Sequence, residues 1–334
     1  MQVAALYQHE IRIEERPIPE IGDQEILLKI AACGLCGTDI LKIKQGNAPH
    51  GVVLGHEVVG TAIKLGSAVT SFQEGERVVV AHHVPCGQCR YCRHGNESMC
   101  AQFKQTQLDP GGFAEYLRIP ASHVKQTAFR IPANLSNEET LFMEPLACCV
   151  RAVRRSALQP GDCVIVIGLG SIGMMMTQTL LNEQMKVITL DLMTERMELA
   201  TRLGAIALDS DAAKQLLQDL KGADMVLFTG GTPQLLNEAL PWVRNGGKLH
   251  LFSSLGGEPL PFPINELYHR ELTVLSTYSS TPPDLRRALA LLASRFVTPK
   301  SYGWEAFALS EIPAAVDKTV RRETMKAIIY PTPS

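Results

Sequence analysis

The sequence predicts an α/β chain in which a mostly-β first half is followed by a doubly wound parallel sheet. Three observations predict it. Short β segments punctuated by Gly and Pro run to about residue 137. Six apolar strand candidates then alternate with helix candidates between residues 163 and 277. A glycine-rich turn joins the first of those six strands to a helix, as in sheets of this kind. With 334 residues the chain is too long for one ordinary core and comfortable for two domains. The expected divisions are 1–150, 151–295, and a segment 296–334 that returns to the first domain.

In the first half the strand candidates are 25–30, 51–54, 58–63 and 77–80. Helical signals are sparse until 134–155, where Ser136-Asn137-Glu138-Glu139 supplies a capped start and apolar residues recur at helical spacing. The second half offers strands at 163–167, 187–190, 206–208, 225–228, 248–252 and 273–277. Helical stretches at 194–203, 212–220 and 233–243 separate them, the alternation of a parallel sheet covered on both faces. The chain closes with an apolar run at 324–330, expected as an edge strand.

Hydrophobic residues make up 46% and charged residues 20%, the mix of a soluble globular protein. Lys and Arg total 32 against 34 Asp and Glu, so the basic excess of a nucleic-acid binder is absent. The N-terminus lacks the basic start and apolar block of a secretory signal. No apolar run approaches the roughly 20 residues that span a bilayer. The expectation is a cytoplasmic protein with neither membrane nor nucleic-acid partner. Nine cysteines, an odd number and clustered, point to metal before disulfide in a reducing compartment.

The strand 163–167 runs into Gly168-Leu169-Gly170-Ser171-Ile172-Gly173. The first glycine permits the tight turn, the second lets a diphosphate approach the backbone, and the third lets helix pack on strand. The motif alone is weak. Its context, with a strand before, a helix after and Asp191 at the end of the next strand, makes it a dinucleotide site. Asp191 is expected to accept hydrogen bonds from the adenosine ribose and to repel the extra phosphate of NADP, which favours NAD. Arg196, about one helical turn further on, is the residue that can neutralise that repulsion. The cofactor-binding set is therefore Gly168, Gly170, Ile172, Gly173, Asp191 and Arg196.

Cys86, Cys89, Cys92 and Cys100 fall within one short lobe, 86–100. Four thiolates so spaced can surround one Zn²⁺ tetrahedrally, with no open position, so the role is structural. An iron–sulfur cluster uses similar ligands. Three further segments carry ligand chemistry: Cys33-Gly34-Leu35-Cys36-Gly37-Thr38-Asp39, Gly55-His56-Glu57 and Glu144-Pro145. Cys36, His56 and Glu144 form a sulfur, nitrogen and oxygen set with room for an exchangeable fourth ligand, as Lewis-acid catalysis requires.

With these motifs in this order, the whole chain resembles the zinc-containing medium-chain alcohol dehydrogenase/reductase family. It looks closest to the sorbitol (polyol), threonine and galactitol-phosphate dehydrogenase branches. The resemblance implies a GroES-like catalytic domain, a Rossmann domain, two zinc ions per chain, NAD, and a homo-oligomer, dimer or tetramer. It makes Cys36, rather than Cys33, the ligand, and Glu57 a neighbour that approaches the metal during ligand exchange. Glu144 stands where liver and yeast alcohol dehydrogenases have Cys, hence the polyol-like placement. Asp39 is expected to orient His56, as carboxylates commonly do for zinc-bound imidazoles. Thr38 is expected to carry the proton of the alcohol while the hydride goes to the nicotinamide.

Two departures matter. Leu41 stands where many members have a proton-relay His, and 277–280 lacks the Arg with which sorbitol dehydrogenases help hold substrate. The expected substrate is a secondary alcohol, polyol or sugar-alcohol-like. Alternatives are a threonine-type amino alcohol or a phosphorylated polyol, for which Arg151, seven residues after Glu144, could hold an anionic group; more often such a residue is solvated or cofactor-facing. From another class, the alternative is a non-catalytic NAD- and zinc-binding scaffold.

Overall fold

The computed structural model describes residues 1–209, 211–212, 215, 221–253 and 262–331. Sixteen strands are found among them. They are β1 Gln2–Tyr7, β2 Glu10–Glu15, β3 Ile26–Gly34, β4 Val52–Val53, β5 Glu57–Leu65, β6 Arg77–Val80, β7 Tyr116–Ile119 and β8 Ala128–Arg130. The rest are β9 Cys163–Ile167, β10 Lys186–Leu190, β11 Ile206–Ala207, β12 Ala223–Phe228, β13 Val243–Leu251, β14 Thr273–Ser276, β15 Glu305–Ala308 and β16 Ala327–Tyr330. The backbone clusters into two compact units, Met1–Ala147 with Ser280–Ser334, and Cys148–Ser279.

The first unit is mostly β. Its larger sheet runs β15-β16-β3-β5-β6-β8, with β7 also paired to β3, and its smaller sheet runs β2-β1-β4. Alternation along β3 and β5 sends Leu28, Ile30, Val58 and Ala62 into a core with Val78, Phe113 and Leu117. The pairing of β3 with β5 slips by a residue between Ile30 and Ala32. Bulges of this kind re-aim the end of a strand, and the end of β3 leads directly to Cys36.

The second unit is a six-stranded parallel sheet in the order β11-β10-β9-β12-β13-β14. That order places the first strand of the unit at the centre, with the chain winding outward both ways, as in dinucleotide-binding folds. β9 is buried along its whole length, as a central strand covered on both faces must be. Ile165, Val226, Phe228 and Leu249 form part of its core.

The fold is thus a mostly-β GroES-like unit and a Rossmann unit, and the six second-half strands fall where periodicity puts them. Helix 212–220 lies largely outside the described residues. The terminal strand is shorter than expected and is not at an edge: β16 lies between β15 and β3, so Ala327–Ile329 are buried. Helices Gly37–Gln45, Pro282–Ala293 and Ile312–Val320 were not among the sequence expectations. Among the described residues no helix is long and apolar enough to cross a membrane.

Candidate metal and cofactor sites

The sulfurs of Cys86, Cys89, Cys92 and Cys100 lie within 4.8 Å of one another. Cys86 Sγ is 3.9 Å from Cys92 Sγ, and Cys89 Sγ is 3.6 Å from Cys92 Sγ. Four thiolates about 2.3 Å from one zinc, tetrahedrally arranged, stand roughly 3.8 Å apart, so the lobe fits a closed zinc site. The chain reaches this geometry through Gly87 and Gly95, both at positive φ (75° and 72°). Amides point into the cluster: Cys86 N donates to Cys100 Sγ and Cys89 N to Cys86 Sγ. Burial pushes the Cys100 thiol up, yet the amides of Cys86 and Phe103 outweigh it and bring it down to about 6. Cys92 is pushed up to about 12, by burial first and then by its neighbouring thiols. A cation at the centre removes that conflict by holding all four as thiolates.

A second cluster forms at the end of β3. The ligand atoms of Cys36, His56 and Glu57 lie within 4.8 Å of one another. Cys36 caps the helix Gly37–Gln45, and Asp39 in its first turn accepts the Cys36 amide on Oδ2 at 3.1 Å. Asp39 Oδ1 accepts the Gly55 amide at 3.3 Å and faces His56 Nδ1 at the same distance. One buried carboxylate therefore ties the two ligand-bearing loops together and fixes the imidazole, leaving Nε2 for a cation. Burial alone would raise the Asp39 carboxyl; His56 and the two amides outweigh it and lower it. Burial alone would lower His56, but Asp39 and Cys36 push it well above its usual value.

Glu144 is buried in the first turn of the helix Met143–Ser156 and is not a member of the three-residue cluster that Glu57 completes. Glu57 is buried and ion-paired with the buried Lys326 ammonium, which also donates to Leu35 O at 3.2 Å. Burial pulls the Lys326 ammonium down, and Glu57 outweighs it. A side chain at Gly34 would meet the Glu57 carboxylate, so this carboxylate occupies space only a glycine leaves. Cys33 is a core group, fully buried and donating to its own neighbour's carbonyl, Gly34 O. Thr38 and Leu41 are exposed on the same helix as Asp39.

Sequence reasoning missed Lys326, whose only signal is one Lys entering an apolar strand. It also missed a row of rings beside the cluster. The ring centroid of His82 lies 4.5 Å from that of His56, His83 3.7 Å from His82, and Phe103 4.5 Å from His83, each pair tilted rather than stacked. Adjacent histidines are the signal, but nothing in the sequence shows what they face.

In the second unit Gly168 takes φ +89°, and a Cβ at Gly173 would lie 1.9 Å from Gly168 O, so both positions require glycine. A Cβ at Gly170 would enter open space at the N-terminus of the helix Ser171–Asn182, where no side chain caps the free amides. That is the cradle a diphosphate fills. Asp191 accepts the Leu169 amide at 2.6 Å on Oδ2 and the Met193 amide at 2.9 Å on Oδ1. Arg196 Nη1 lies 4.0 Å from Asp191 Oδ2. Ile172 sits in the first turn of the helix, its carbonyl facing the Cys149 thiol at 3.8 Å. Arg151 is not solvated: it is buried, and Nη1 donates to Tyr278 O at 2.6 Å.

Residues 22–132 match the alcohol dehydrogenase GroES-like domain, and residues 157–294 the zinc-binding dehydrogenase domain. Sorbitol dehydrogenase of Bacillus subtilis (strain 168) is 30% identical over 99% of this chain and 97% of its own length. Among solved structures, galactitol-1-phosphate dehydrogenase from Escherichia coli is 26% identical, with a TM-score of 0.86 over 99% of this chain and 100% of that one. A zinc-binding dehydrogenase from Sinorhizobium meliloti 1021 bound to NADP is 28% identical, with a TM-score of 0.87 over 99% of each chain. This chain belongs to the zinc-binding alcohol dehydrogenase family, and it is an oxidoreductase that acts on small alcohols.

Proposed function

We propose that the chain oxidises a polyol or related sugar alcohol at a secondary carbon, delivers the hydride to NAD in preference to NADP, and holds two zinc ions. The observation that carries the reading is the Cys36, His56 and Glu57 cluster, with Asp39 fixing the imidazole. The likeness to sorbitol dehydrogenase supports the polyol class. Asp191 at the glycine turn supports NAD; the NADP-bound neighbour makes that choice one to measure. Glu144 is the proposed third ligand of the catalytic ion, because Lys326 already neutralises Glu57 and leaves it as the exchanging neighbour.

When bound, zinc supplies the Lewis acidity that lowers the pKa of an alcohol, and the nicotinamide supplies the hydride acceptor. The remaining work falls to the chain. Asp39 holds His56 in the tautomer that presents Nε2. Thr38 Oγ1, exposed beside Cys36, carries the alcohol proton outward, since Leu41 cannot. The Glu57–Lys326 pair keeps a second carboxylate within reach without adding net charge. A phosphorylated polyol is the second reading, supported by the galactitol-1-phosphate dehydrogenase likeness.

The same proposal places the protein in the cytoplasm, supported by nine cysteines that form no disulfide, and makes it a dimer or tetramer. Supporting self-association, β14 is a sheet edge on which Val274 is exposed. Elemental analysis with a panel of polyols, polyol phosphates and amino alcohols, each with NAD and NADP, is the test. Two zincs and turnover on polyols with NAD support the reading. Iron in place of zinc, or full activity without metal, would sink it.

A further inference from the structure

His250 lies on β13, fully buried in the sheet of the second unit, in contact with neither metal cluster. Its Nδ1 is 2.9 Å from Ser156 Oγ, and its Nε2 is 3.1 Å from Thr277 Oγ1. Ser156 Oγ donates its one proton to Ala152 O at 2.8 Å. The hydroxyl can then only accept from His250, so Nδ1 carries the ring proton and Nε2 is the acceptor. Thr277 must therefore turn its hydroxyl hydrogen inward. The relay has a single direction, from Thr277 through His250 and Ser156 to the helix Met143–Ser156. Burial, and after it Arg155, lowers His250 to about 4, so the ring is neutral at ordinary pH.

A second bond runs between the same two elements. Arg151, from the same helix, donates to Tyr278 O at 2.6 Å. Consecutive residues after β14 are thus held from below, one by its side chain and one by its carbonyl. The next residue, Ser279, takes φ +61°, a conformation uncommon for a non-glycine residue. A left-handed Ser next to two buried tethers marks a segment whose backbone is held in place from outside.

The strand order says what this segment faces. Ligands of such sheets lie across the carboxyl ends of the strands, with the diphosphate at the glycine turn after β9. Asp191, after β10, takes the adenosine to one side of that turn. The other half of the dinucleotide must run the opposite way, over the carboxyl ends of β12, β13 and β14. Thr277, Tyr278 and Ser279 follow β14 directly.

We propose that Ser156, His250 and Arg151 are positioning residues, which hold backbone 277–279 in the shape that receives the nicotinamide half of the cofactor. The inference rests on the dinucleotide reading of this unit. It assigns work to buried polar groups that neither metal cluster uses, and it separates the two halves of the cofactor in a measurable way.

Calorimetric titration of the whole enzyme with NADH and with ADP-ribose, which lacks the nicotinamide, tests it. His250→Phe should weaken NADH by roughly five- to tenfold, the scale of one lost hydrogen bond to an ordered segment. ADP-ribose should stay within about twofold. His250→Gln can place its amide oxygen where Nε2 accepts from Thr277, and should recover most of the NADH affinity. Thr277→Val removes the hydroxyl at a partly exposed position and should reproduce the His250→Phe pattern even if the buried variant folds poorly. Equal weakening of both ligands, or unchanged NADH binding in Thr277→Val, overturns the proposal. Wild-type protein that binds neither ligand overturns the dinucleotide reading itself, and this inference with it.

Discussion

Replacing Asp191 should do two things at once, and the structure allows them to be separated. The carboxylate accepts two backbone amides, from Leu169 in the glycine turn and from Met193. It is also the negative charge that an NADP phosphate would approach. At an effective dielectric of about 20, two unit charges about 5 Å apart repel by roughly 3 kcal/mol. Arg196, 4.0 Å from the same carboxylate, offsets part of that. A tenfold preference for NAD, about 1.4 kcal/mol and so under half of that repulsion, is the least selectivity expected. Asp191→Asn keeps an oxygen for one amide but turns an NH₂ toward the other, whereas Asp191→Ser reaches neither well. Asn, which loses one, should lower kcat/KM with NAD by roughly ten- to a hundredfold, the cost of one hydrogen bond to a charged acceptor at about 1.5–3 kcal/mol, and Ser, which loses both, by more. NADP loses less, because the repulsion goes as well. The assay is kcat/KM with each cofactor in wild type and both variants, with thermal unfolding as the control for the turn. A wild-type ratio near one, or a ratio that neither variant moves, would refute the reasoning.

The proton path gives a second expectation. Thr38→Val keeps shape and removes the hydroxyl, so zinc content and NAD affinity should survive while turnover falls on the order of 10²–10⁴; near-normal turnover would show that the proton leaves by another group, with Glu57 next in line. The two metal clusters should fail differently. Cys89→Ser should lower the unfolding temperature and solubility first, whereas Cys36→Ser should abolish turnover and lose one zinc with circular dichroism unchanged. Acid should also weaken the fold through His250. The folded state holds this ring near 4 against 6.5 for the ordinary value, so the unfolded chain binds the proton first. The stability is present above about pH 6.5 and is lost as pH falls toward 4, by about 2 kcal/mol between pH 7.5 and 5. Urea unfolding at those two pH values should show a smaller difference in His250→Phe than in wild type; an equal difference would exclude this ring as the source.

What the sequence made legible was whatever its chemistry fixes locally. The glycine turn is one case, since a Cβ at Gly173 would lie 1.9 Å from the Gly168 carbonyl of the same turn. The four-cysteine lobe is another, because its ligands are close along the chain and a metal can gather them without a core. Cys36 and His56 could be named as ligand types from their segments, but the choice of Cys36 over Cys33 came only through the resemblance, since the loops of Cys36 and His56 meet through Asp39, an acid whose sequence signal is that of any helix start. The sequence reading returns the chain to the first domain at 296; the zinc-binding dehydrogenase match runs to residue 294, and by backbone contacts the chain already groups with the first unit from Ser280. Between those positions lies the helix Pro282–Ala293, which was not among the sequence expectations. Its end binds the first unit: Asn134 Nδ2 donates to Ala293 O at 2.8 Å, and Arg295 pairs with Glu139.

Lys326 and Arg151 show where this kind of reading stops. Lys326 donates to Leu35 O, a carbonyl 291 residues away in sequence, and it neutralises Glu57 in between. No window on the sequence contains both partners, and a buried Lys reads as a strand-end charge until its carboxylate is seen. The seven-residue spacing of Arg151 from Glu144 names a face of the helix Met143–Ser156 and not what that face meets. That face is closed against the carbonyl of Tyr278. A buried guanidinium needs acceptors with fixed geometry, and a carbonyl at a strand end is fixed by the fold. The consequence is that an anionic substrate group has to be sought elsewhere in this protein, while Arg151 holds the backbone beside which the cofactor is proposed to lie.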